Sequence, residues 1–495
     1  MDKLNYLSQL DAGYLDSLYA DFLKDPESID PEWKRFFEGF EFHKNQYPVL
    51  PSRNPLLEKE FKLISLINAY RERGHFFTET NPVRKRRNYT PTLDIENFGL
   101  SNSDLKTVFN AGSEIGIGPS SLENIIAHLK QTYCRTIGVE YRYIRQPEVS
   151  EWLRDKMEST KNTPAFSNEE KKIIYTDISH AVQFEEFLHT RFVGQKRFSL
   201  QGVESLIPAL HSLVEKGAEE GVSGFIIGMP HRGRLNVLAN VLKKPLDTLL
   251  SEFEGLEPED HGLLGDVKYH LGFSTNIQTR KGHSLHLVLS PNPSHLEAVN
   301  PVVEGISRAL AENFSPSDFK KNIPVLIHGD ASIAGQGIVY EVIQMAQLEG
   351  YKTGGTIHIV ANNQIGFTTD YTDGRSGIYC TDVAKTTQCP IFHVNADDPE
   401  AVVFIMQLAI QFRQKFHRDV FIDLLGYRKH GHNEGDEPRY TQPLLYKIIA
   451  SHPNVKEIYQ KKLLDENSIT QEDVKNIQSA YIELLRSNQE ESKKN

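Results

Sequence analysis

The chain has 495 residues, of which 39% are hydrophobic, and its formal net charge at pH 7 is −11. This length and apolar content permit a large buried core and predict two or three domains. The acidic balance argues against nucleic acid and against an anionic membrane surface as the main partner.

The cysteines and the amino-terminal residues indicate the compartment. Cys134, Cys380 and Cys389 are odd in number and widely spaced, so we expect a reducing environment with no disulfide framework or zinc cluster. The start, Met1 to Asn5, has no apolar signal core and no Arg-rich leader, and no apolar run approaches the ~18 residues that span a bilayer. We therefore expect a soluble, cytoplasmic chain with no membrane partner.

Residues 1–45 are predicted to form a helical arm rich in aromatic and acidic residues. Its apolar stripe consists of Tyr14, Leu15, Leu18, Tyr19 and Phe22. This stripe is too small to form a core of its own. Two interpretations remain open: the arm packs on its own protein, or it docks into the groove of a partner.

A helical domain is predicted for residues 46–167, after a proline-rich boundary at residues 47–55. Apolar residues recur at helical spacing in Glu60 to Ala69 and in Leu122 to Tyr133. The basic run from Arg84 to Arg87 can suggest nucleic acid, but a solvated or internally paired run is favoured.

From residue 168 to residue 440 the pattern changes to alternating strands and helices. Strands are predicted at residues 225–229, 286–290, 324–328, 356–361, 391–396 and 421–427. Helices are predicted between several of them, as at 205–216 and 400–416. This alternation is typical of right-handed crossovers, so we predict an α/β domain with a parallel sheet covered by helices. Residues 441–495 form a final, charged helical segment.

Polar residues end two of these strands. Asp330 follows the strand at 324–328, and Asn363 follows the strand at 356–361. Ligands of open α/β sheets bind at this edge. A carboxylate and an amide oxygen suit Mg²⁺, which takes about six oxygen ligands and often shares substrate phosphates. The alternative, a turn with a capped helix, is favoured for Gly-Asp alone but not once Asn363 is considered.

Further polar motifs come at or just after other predicted strands. Arg232 has the fixed charge and forked donors that suit a diphosphate. His231, His270 and His432 can supply charge or a proton near neutral pH. Against this, a lone arginine is more often a surface ion pair and a lone histidine a structural residue. The His-x-His at 430–432 lacks a third metal ligand and is weak as a metal motif.

The motifs together resemble one family. Gly-Asp followed by Asn-Asn at the end of the next strand resembles the magnesium and thiamine diphosphate motif of transketolase-like enzymes. Most of those have Gly-Asp-Gly, whereas this chain has Gly329-Asp330-Ala331 followed by AGQGIVYE. That variant resembles the E1 component of 2-oxoglutarate dehydrogenase, as do HRGRLNVL, KYHLG and NPSHLE. The resemblance covers essentially all 495 residues.

The resemblance implies thiamine diphosphate and Mg²⁺ as cofactors. The implied magnesium ligands are Asp330, Asn363 and the backbone carbonyl of Ile365. The other implied cofactor-binding residues are Arg232, Ser294, Leu296, Ala331 and Ser332. His231, His270 and His432 are implied to line the catalytic site. The family decarboxylates 2-oxoglutarate and passes the succinyl group to a lipoylated succinyltransferase (E2), which its amino-terminal region contacts.

Two departures from the family qualify this expectation. Family members continue with a pyrimidine-binding domain, whose glutamate activates the cofactor, and with a carboxyl-terminal domain. We therefore expect this chain to need a second half for activity, as a homodimer or paired with another chain. An inactive or structural subunit, or action on another 2-oxo acid, remain alternatives. Gln201 stands where the family usually has Glu, and we expect its effect to be on local stability.

Overall fold

The computed structural model describes residues 12–46, 55–85, 87–254, 267–314 and 318–493. The chain divides into two compact units, Met1–Lys62 and Leu63–Asn495. Parts of the predicted segments lie outside the described residues: the start of the amino-terminal arm, most of the proline-rich boundary, Arg86 of the basic run, and the last two residues.

The α-helices and strands are numbered in chain order. The helices are α1 (Ala12–Lys24), α2 (Pro31–Gln46), α3 (Pro55–Arg73), α4 (Leu122–Tyr133), α5 (Pro147–Thr160), α6 (Asn168–Arg191), α7 (Leu206–Glu219), α8 (Arg234–Asn240), α9 (Leu246–Glu254), α10 (Val299–Phe314), α11 (Asp330–Gly335), α12 (Gly337–Met345), α13 (Tyr371–Gly374), α14 (Pro399–Phe416), α15 (Pro443–Ser451), α16 (Val455–Asp465) and α17 (Gln471–Ser492). The strands of the main sheet are β1 (Ile137–Glu140), β2 (Gly224–Gly228), β3 (Phe273–Gln278), β4 (Ser284–Leu289), β5 (Asn322–Gly329), β6 (Ile357–Asn362), β7 (Ile391–Asn395) and β8 (Val420–Leu425).

Shorter elements connect these. The 3₁₀ helices are Gly74–Phe77, Ile95–Phe98, Asn102–Asp104, Asn110–Ile115, Cys380–Thr387 and Pro438–Tyr440. Two antiparallel pairs of two-residue strands join Val108–Phe109 to Ser120–Ser121 and Ile365–Gly366 to Thr369–Asp370.

In the first unit, α1 and α2 pack through aromatic rings. The ring of Phe37 lies 5.2 Å from that of Tyr19 and 5.5 Å from that of Phe22, between centroids. Phe22 and Phe37 are buried, whereas Tyr14 of the predicted stripe is exposed. Part of the stripe is therefore buried by contact between the two helices. Its docking role stays a prediction.

The main sheet confirms the expected α/β fold. Its strand order is β1-β7-β8-β6-β5-β2-β4-β3. The six inner strands are parallel, and they are the six strands predicted from the sequence. The two edge strands, β1 and β3, are antiparallel to their neighbours. β1 lies in the segment predicted to be helical, and β3 (FSTNIQ) has a polar sequence whose side chains alternate toward solvent.

Helices cover both faces of this sheet. α7 and α14 pack against each other, and α14 is buried along most of its length. β5 is buried from Ile323 to His328, as expected for a central parallel strand. α6 begins with a capping box, in which Ser167 and Glu170 satisfy each other's backbone N–H groups.

The register between β5 and β6 positions the candidate site. Gly329 of β5 pairs with Ala361 of β6. Asp330 and Asn363 therefore follow neighbouring strand ends at the same edge of the sheet. Within the described ranges, no helix combines the length and the apolar content needed to cross a membrane.

Candidate active site

Asp330 and Asn363 form the first part of the site. Asp330 is 2% exposed, and its Oδ2 is buried without a hydrogen-bond partner among the described residues. Asn363, which follows the neighbouring strand, is also buried, and its Oδ1 accepts the N–H of Ile365 at 3.3 Å. Burial raises the pKa of Asp330 to about 6, against the opposing effect of Arg375, whose guanidinium lies 3.6 Å away.

These donors fit a hard cation. A carboxylate, an amide oxygen and a backbone carbonyl are the oxygen ligands that Mg²⁺ accepts. A buried carboxylate oxygen without a hydrogen bond is costly unless a cation satisfies it. Across the described ranges, no group of three or more His, Cys, Asp and Glu side chains could hold a metal. Binding of a metal at Asp330 therefore requires the amide and backbone carbonyl oxygens in addition to the carboxylate, and further oxygens from a bound small molecule.

The loop after Asn363 is fixed by side-chain hydrogen bonds. Gln364 has a left-handed backbone, with φ of 67°. Its Nε2 donates to the carbonyl of Gly426 at 2.7 Å, and its amide pairs with that of Asn81 in both directions. Gly366 leaves space for Ala331, since a Cβ on Gly366 would lie 2.6 Å from the Ala331 Cβ. The Gly-Asp-Ala variant is thus accommodated by a glycine on the neighbouring loop.

The second part of the site is a cluster of rings near His231. The ring of Phe198 lies 3.9 Å from that of His231 and 5.5 Å from that of His432, between centroids. The two histidine rings are 5.7 Å apart. Phe198 also contacts Tyr269, at 4.8 Å, and this places the neighbouring His270 close to the cluster. The structure thus brings together side chains from the segments after β2 and β8, from the segment before β3, and from the segment between α6 and α7.

Two arginines join the loops around this cluster. Arg232 donates to the carbonyls of His432 at 2.7 Å and Ser199 at 3.1 Å. Arg234 is fully buried and donates to the carbonyls of Leu271 at 2.8 Å and Ser290 at 2.9 Å. Arg234 therefore has a structural role in holding the KYHLG and SPNPSHLE loops.

The histidines of the cluster are neutral near pH 7. Burial, followed by the charge of Arg232, lowers the pKa of His231 to about 3 and that of His432 to about 4. A neutral imidazole can donate one hydrogen bond and accept another. An anionic ligand among these rings would raise both pKa values, because it stabilises the imidazolium form.

Glu297 links two of the predicted motifs. Its carboxylate accepts the hydroxyl of Ser332, the amide of Asn300 at 2.8 Å and a hydrogen bond from His328 at 2.6 Å. His328 is hydrogen-bonded in turn to His358 at 3.0 Å. Ser332 thus directs its proton to Glu297. Ser294 and Leu296, which precede Glu297, are exposed on the loop after β4.

Glu434 supports the loop that carries Phe198. Its carboxylate accepts the backbone N–H groups of Arg197 at 2.8 Å, Phe198 at 3.2 Å and Ser199 at 2.9 Å. Nearby, Gln201 Oε1 is 2.7 Å from His430 Nε2. Burial lowers the pKa of His430 to about 4, so a neutral amide suits this contact.

Arg428 connects the two parts of the site, and sequence reasoning missed it. It is buried after β8 and donates to the carbonyls of Phe367 at 3.0 Å and His430 at 3.1 Å. Its positive charge lowers the pKa of both Asp330 and His432, although burial and other charged groups have larger effects on these pKa values. The feature of the sequence that could have indicated Arg428 is its position directly after the strand predicted at residues 421–427.

A family model described as "Dehydrogenase E1 component" matches residues 176–495. A second, described as "2-oxoglutarate dehydrogenase N-terminus", matches residues 5–44.

Curated relatives have similar descriptions. The 2-oxoglutarate dehydrogenase E1 component of Azotobacter vinelandii is 43% identical, over 95% of this chain and 52% of that protein. The E1 component of Cupriavidus necator is 43% identical, over 94% of this chain and 52% of that protein. The mitochondrial 2-oxoglutarate dehydrogenase of Dictyostelium discoideum is 41% identical, over 94% of this chain and 49% of that protein. The chain spans about half the length of the curated relatives it matches.

Proposed function

Because the chain belongs to the dehydrogenase E1 component family, we propose that it serves in thiamine diphosphate-dependent decarboxylation of 2-oxoglutarate. The succinyl group would pass to the lipoyl group of an E2 acyltransferase. The observation that carries this proposal is the buried Asp330 Oδ2, which has no hydrogen-bond partner among the described residues and follows a strand that neighbours the one before Asn363.

Asp330, Asn363 and the carbonyl of Ile365 would hold Mg²⁺. Arg232 would supply positive charge for the diphosphate of the cofactor. Ser294, Leu296, Ala331 and Ser332 complete the proposed cofactor contacts. When bound, thiamine diphosphate supplies the electron sink for decarboxylation. The chain supplies binding, orientation and electrostatics.

The substrate would lie among His231, His270 and His432. A dicarboxylate would be attracted by the charge of Arg232 and would accept hydrogen bonds from the neutral imidazoles of His231 and His432. Its negative charge would raise the pKa values of His231 and His432 from about 3 and about 4, and this would favour proton uptake by these two residues. The rings of Phe198 and Phe367 flank His432, with centroids 5.5 and 4.8 Å from that of its ring.

The partners follow from the same proposal. The match of residues 5–44 to the 2-oxoglutarate dehydrogenase amino terminus supports a role for the α1–α2 pair in contacting E2. Turnover is proposed to require a pyrimidine-binding domain in addition to residues 1–495. The 495-residue chain alone is therefore expected to release no CO₂ from 2-oxoglutarate, even with Mg²⁺ and thiamine diphosphate.

Calorimetric titration tests the substrate. 2-Oxoglutarate and pyruvate are titrated into the chain loaded with Mg²⁺ and thiamine diphosphate. We expect 2-oxoglutarate to bind at least about tenfold more tightly, since its second carboxylate adds a charge-assisted contact. Equal affinities would contradict the proposed substrate. Robust CO₂ release by the chain with no second polypeptide present would contradict the proposed requirement for a further domain.

A further inference from the structure

A cavity of about 510 Å³ lies beside β8, within the second unit. It is lined by residues within 75–85, 87–89 and 371–379, by Gln364, and by Asp423 and Leu425 of β8. None of the site residues predicted from the sequence lines it. Its volume is in the range of small-molecule binding sites.

The cavity has an excess of positive charge. Its charged side chains, apart from His75, are Arg84, Lys85, Arg87, Arg375, Glu79 and Asp423. The two acids are already engaged: Asp423 Oδ2 is 2.8 Å from His393 Nδ1, and Glu79 Oε2 is 3.3 Å from Arg135. Arg84 pairs with Asp370. In the part of the chain that the structure describes, Lys85 and Arg87 form no ion pair with a carboxylate.

Three guanidinium groups surround one tyrosine ring at the rim. Arg84, Arg87 and Arg375 lie 5.1, 4.9 and 5.2 Å from the centroid of Tyr371. Three like charges around one ring repel each other, and an anion placed among them offsets this repulsion. The Nε atoms of Arg84 and Arg375 are buried without a hydrogen-bond partner among the described residues. Buried donors normally have a partner, so these two indicate an acceptor that is supplied from outside the chain.

An aromatic wall completes the cavity. The ring of Phe76 stacks on that of Tyr89, with centroids 4.5 Å apart, and lies nearly parallel to that of Tyr379 at 6.2 Å. A ligand here thus meets cations on one side and apolar rings on the other.

We propose that this cavity binds a small organic phosphate, with the phosphate among the arginines and the carbon body against the aromatic wall. The planar fork of arginine matches the oxygens of a phosphate, and such charge-assisted pairs are among the stronger hydrogen bonds. The proposal does not depend on the thiamine diphosphate assignment. Arg375 also contacts Asp330, so the test leaves Arg375 unchanged.

Titration calorimetry of the 495-residue chain tests the site. The probes are glycerol 3-phosphate, inorganic phosphate and citrate, the last as a carboxylate of similar charge. The double variant Lys85→Gln/Arg87→Gln removes two exposed cations of the cavity. It is expected to weaken binding of glycerol 3-phosphate about tenfold or more, since hydrogen bonds to charged groups are lost.

The matched control is Lys106→Gln/Arg142→Gln, which makes the same change of charge at two exposed residues away from the cavity. It is expected to change the affinity for glycerol 3-phosphate by less than about twofold. The same small change is expected for Arg232→Gln, which alters the proposed cofactor site and not the cavity. Equal losses in both double variants would show nonspecific attraction and overturn the proposal. The proposal would also be overturned if neither phosphate probe showed saturable binding, or if only citrate did. A loss of glycerol 3-phosphate affinity that occurred only in Arg232→Gln would overturn it as well. Thiamine diphosphate binding, measured separately, reports on the proposed function whichever of these results is found.

Discussion

The guanidinium of Arg375 lies 3.6 Å from the carboxylate of Asp330, the residue predicted to bind magnesium. The two are close enough to attract but too far apart to hydrogen-bond, and Asp330 Oδ2 keeps no hydrogen-bond partner among the described residues. Arg375 thus partly satisfies the charge that a metal would neutralise. An arginine and a cation compete for the same carboxylate.

Removing Arg375 is expected to tighten magnesium binding. In Arg375→Gln the carboxylate loses its competing cation, and the gain is about 1 kcal/mol, or roughly fivefold in affinity. The measurement is calorimetric titration of Mg²⁺ at saturating thiamine diphosphate. The control is Arg375→Lys, which keeps the charge and should stay near the wild-type value. Unchanged or weaker binding in Arg375→Gln would show that the two cations do not compete.

Replacing Asp330 is expected to abolish the magnesium dependence of cofactor binding. Asp330→Ala removes the carboxylate from the proposed ligand set, leaving only neutral oxygen donors from the chain. Thiamine diphosphate is titrated with and without Mg²⁺, and the difference should vanish in this variant. Asp373→Ala, which removes an exposed carboxylate from α13, should preserve the difference. Wild-type binding in Asp330→Ala would falsify the metal assignment.

Glu434 is expected to stabilise the loop under the histidine cluster. Glu434→Gln weakens three hydrogen bonds to backbone N–H groups and takes away a charge near Arg197, so we expect a loss of about 2 kcal/mol in unfolding free energy. Burial, which raises the Glu434 pKa, is outweighed by these hydrogen bonds and by Arg197, so the pKa is lowered. Its stabilising effect is therefore present above the ordinary glutamate pKa and is lost as the pH falls.

Urea denaturation across pH 3 to 7 measures this contribution. Glu437→Gln is the control, because Glu437 is exposed and pairs with the exposed Arg439. It should leave the unfolding free energy close to the wild-type value at each pH, because an exposed ion pair contributes little to stability. A Glu434→Gln curve that parallels the wild type at all pH values would refute the predicted linkage.

His393 is expected to make the fold less stable at alkaline pH. Burial lowers its pKa, but hydrogen bonds and charges from Asp423 and Glu140 outweigh this and raise the pKa to about 9. A raised folded-state pKa means that the stabilisation is complete below about 6.5 and is lost as the pH rises through about 9. The limiting loss is about 3 kcal/mol.

Denaturation of wild type and His393→Gln between pH 6 and 10 checks this expectation. The unfolding free energy of the wild type should fall over that window. The variant should be less stable than the wild type at pH 6, and its unfolding free energy should change less with pH. His283→Gln, at an exposed residue, should reproduce the wild-type slope. If His393→Gln keeps that slope, the titrating group lies elsewhere.

The sequence predicted the parallel part of the fold well, because those strands are continuous apolar runs with polar residues at their ends. Asp330 and Asn363 were found for that reason. β1 was missed because Ile137–Glu140 has only four residues, and its strand conformation depends on pairing with β7, far away in sequence. Long-range pairing of this kind leaves no periodic signal.

The supporting side chains of the site were also missed. Arg375, Arg428 and Glu297 act through contacts with residues distant in sequence, and each is common as an ordinary surface charge. Glu434 lies inside a motif that was noted for its histidines, so its role in holding residues 197–199 was overlooked. Local pattern identifies the residues that end strands, whereas the groups that hold them require the tertiary structure.

The antiparallel edge strand has a consequence for synthesis. Ile137 of β1 pairs with Val394 and Glu140 with Ile391, so this strand leaves the ribosome some 250 residues before its partner. At about 5–20 residues per second, β1 waits roughly 13–50 s with an open hydrogen-bonding edge. Its short length limits what can pair with it in that interval. The sheet can close at this end only after β7 has emerged.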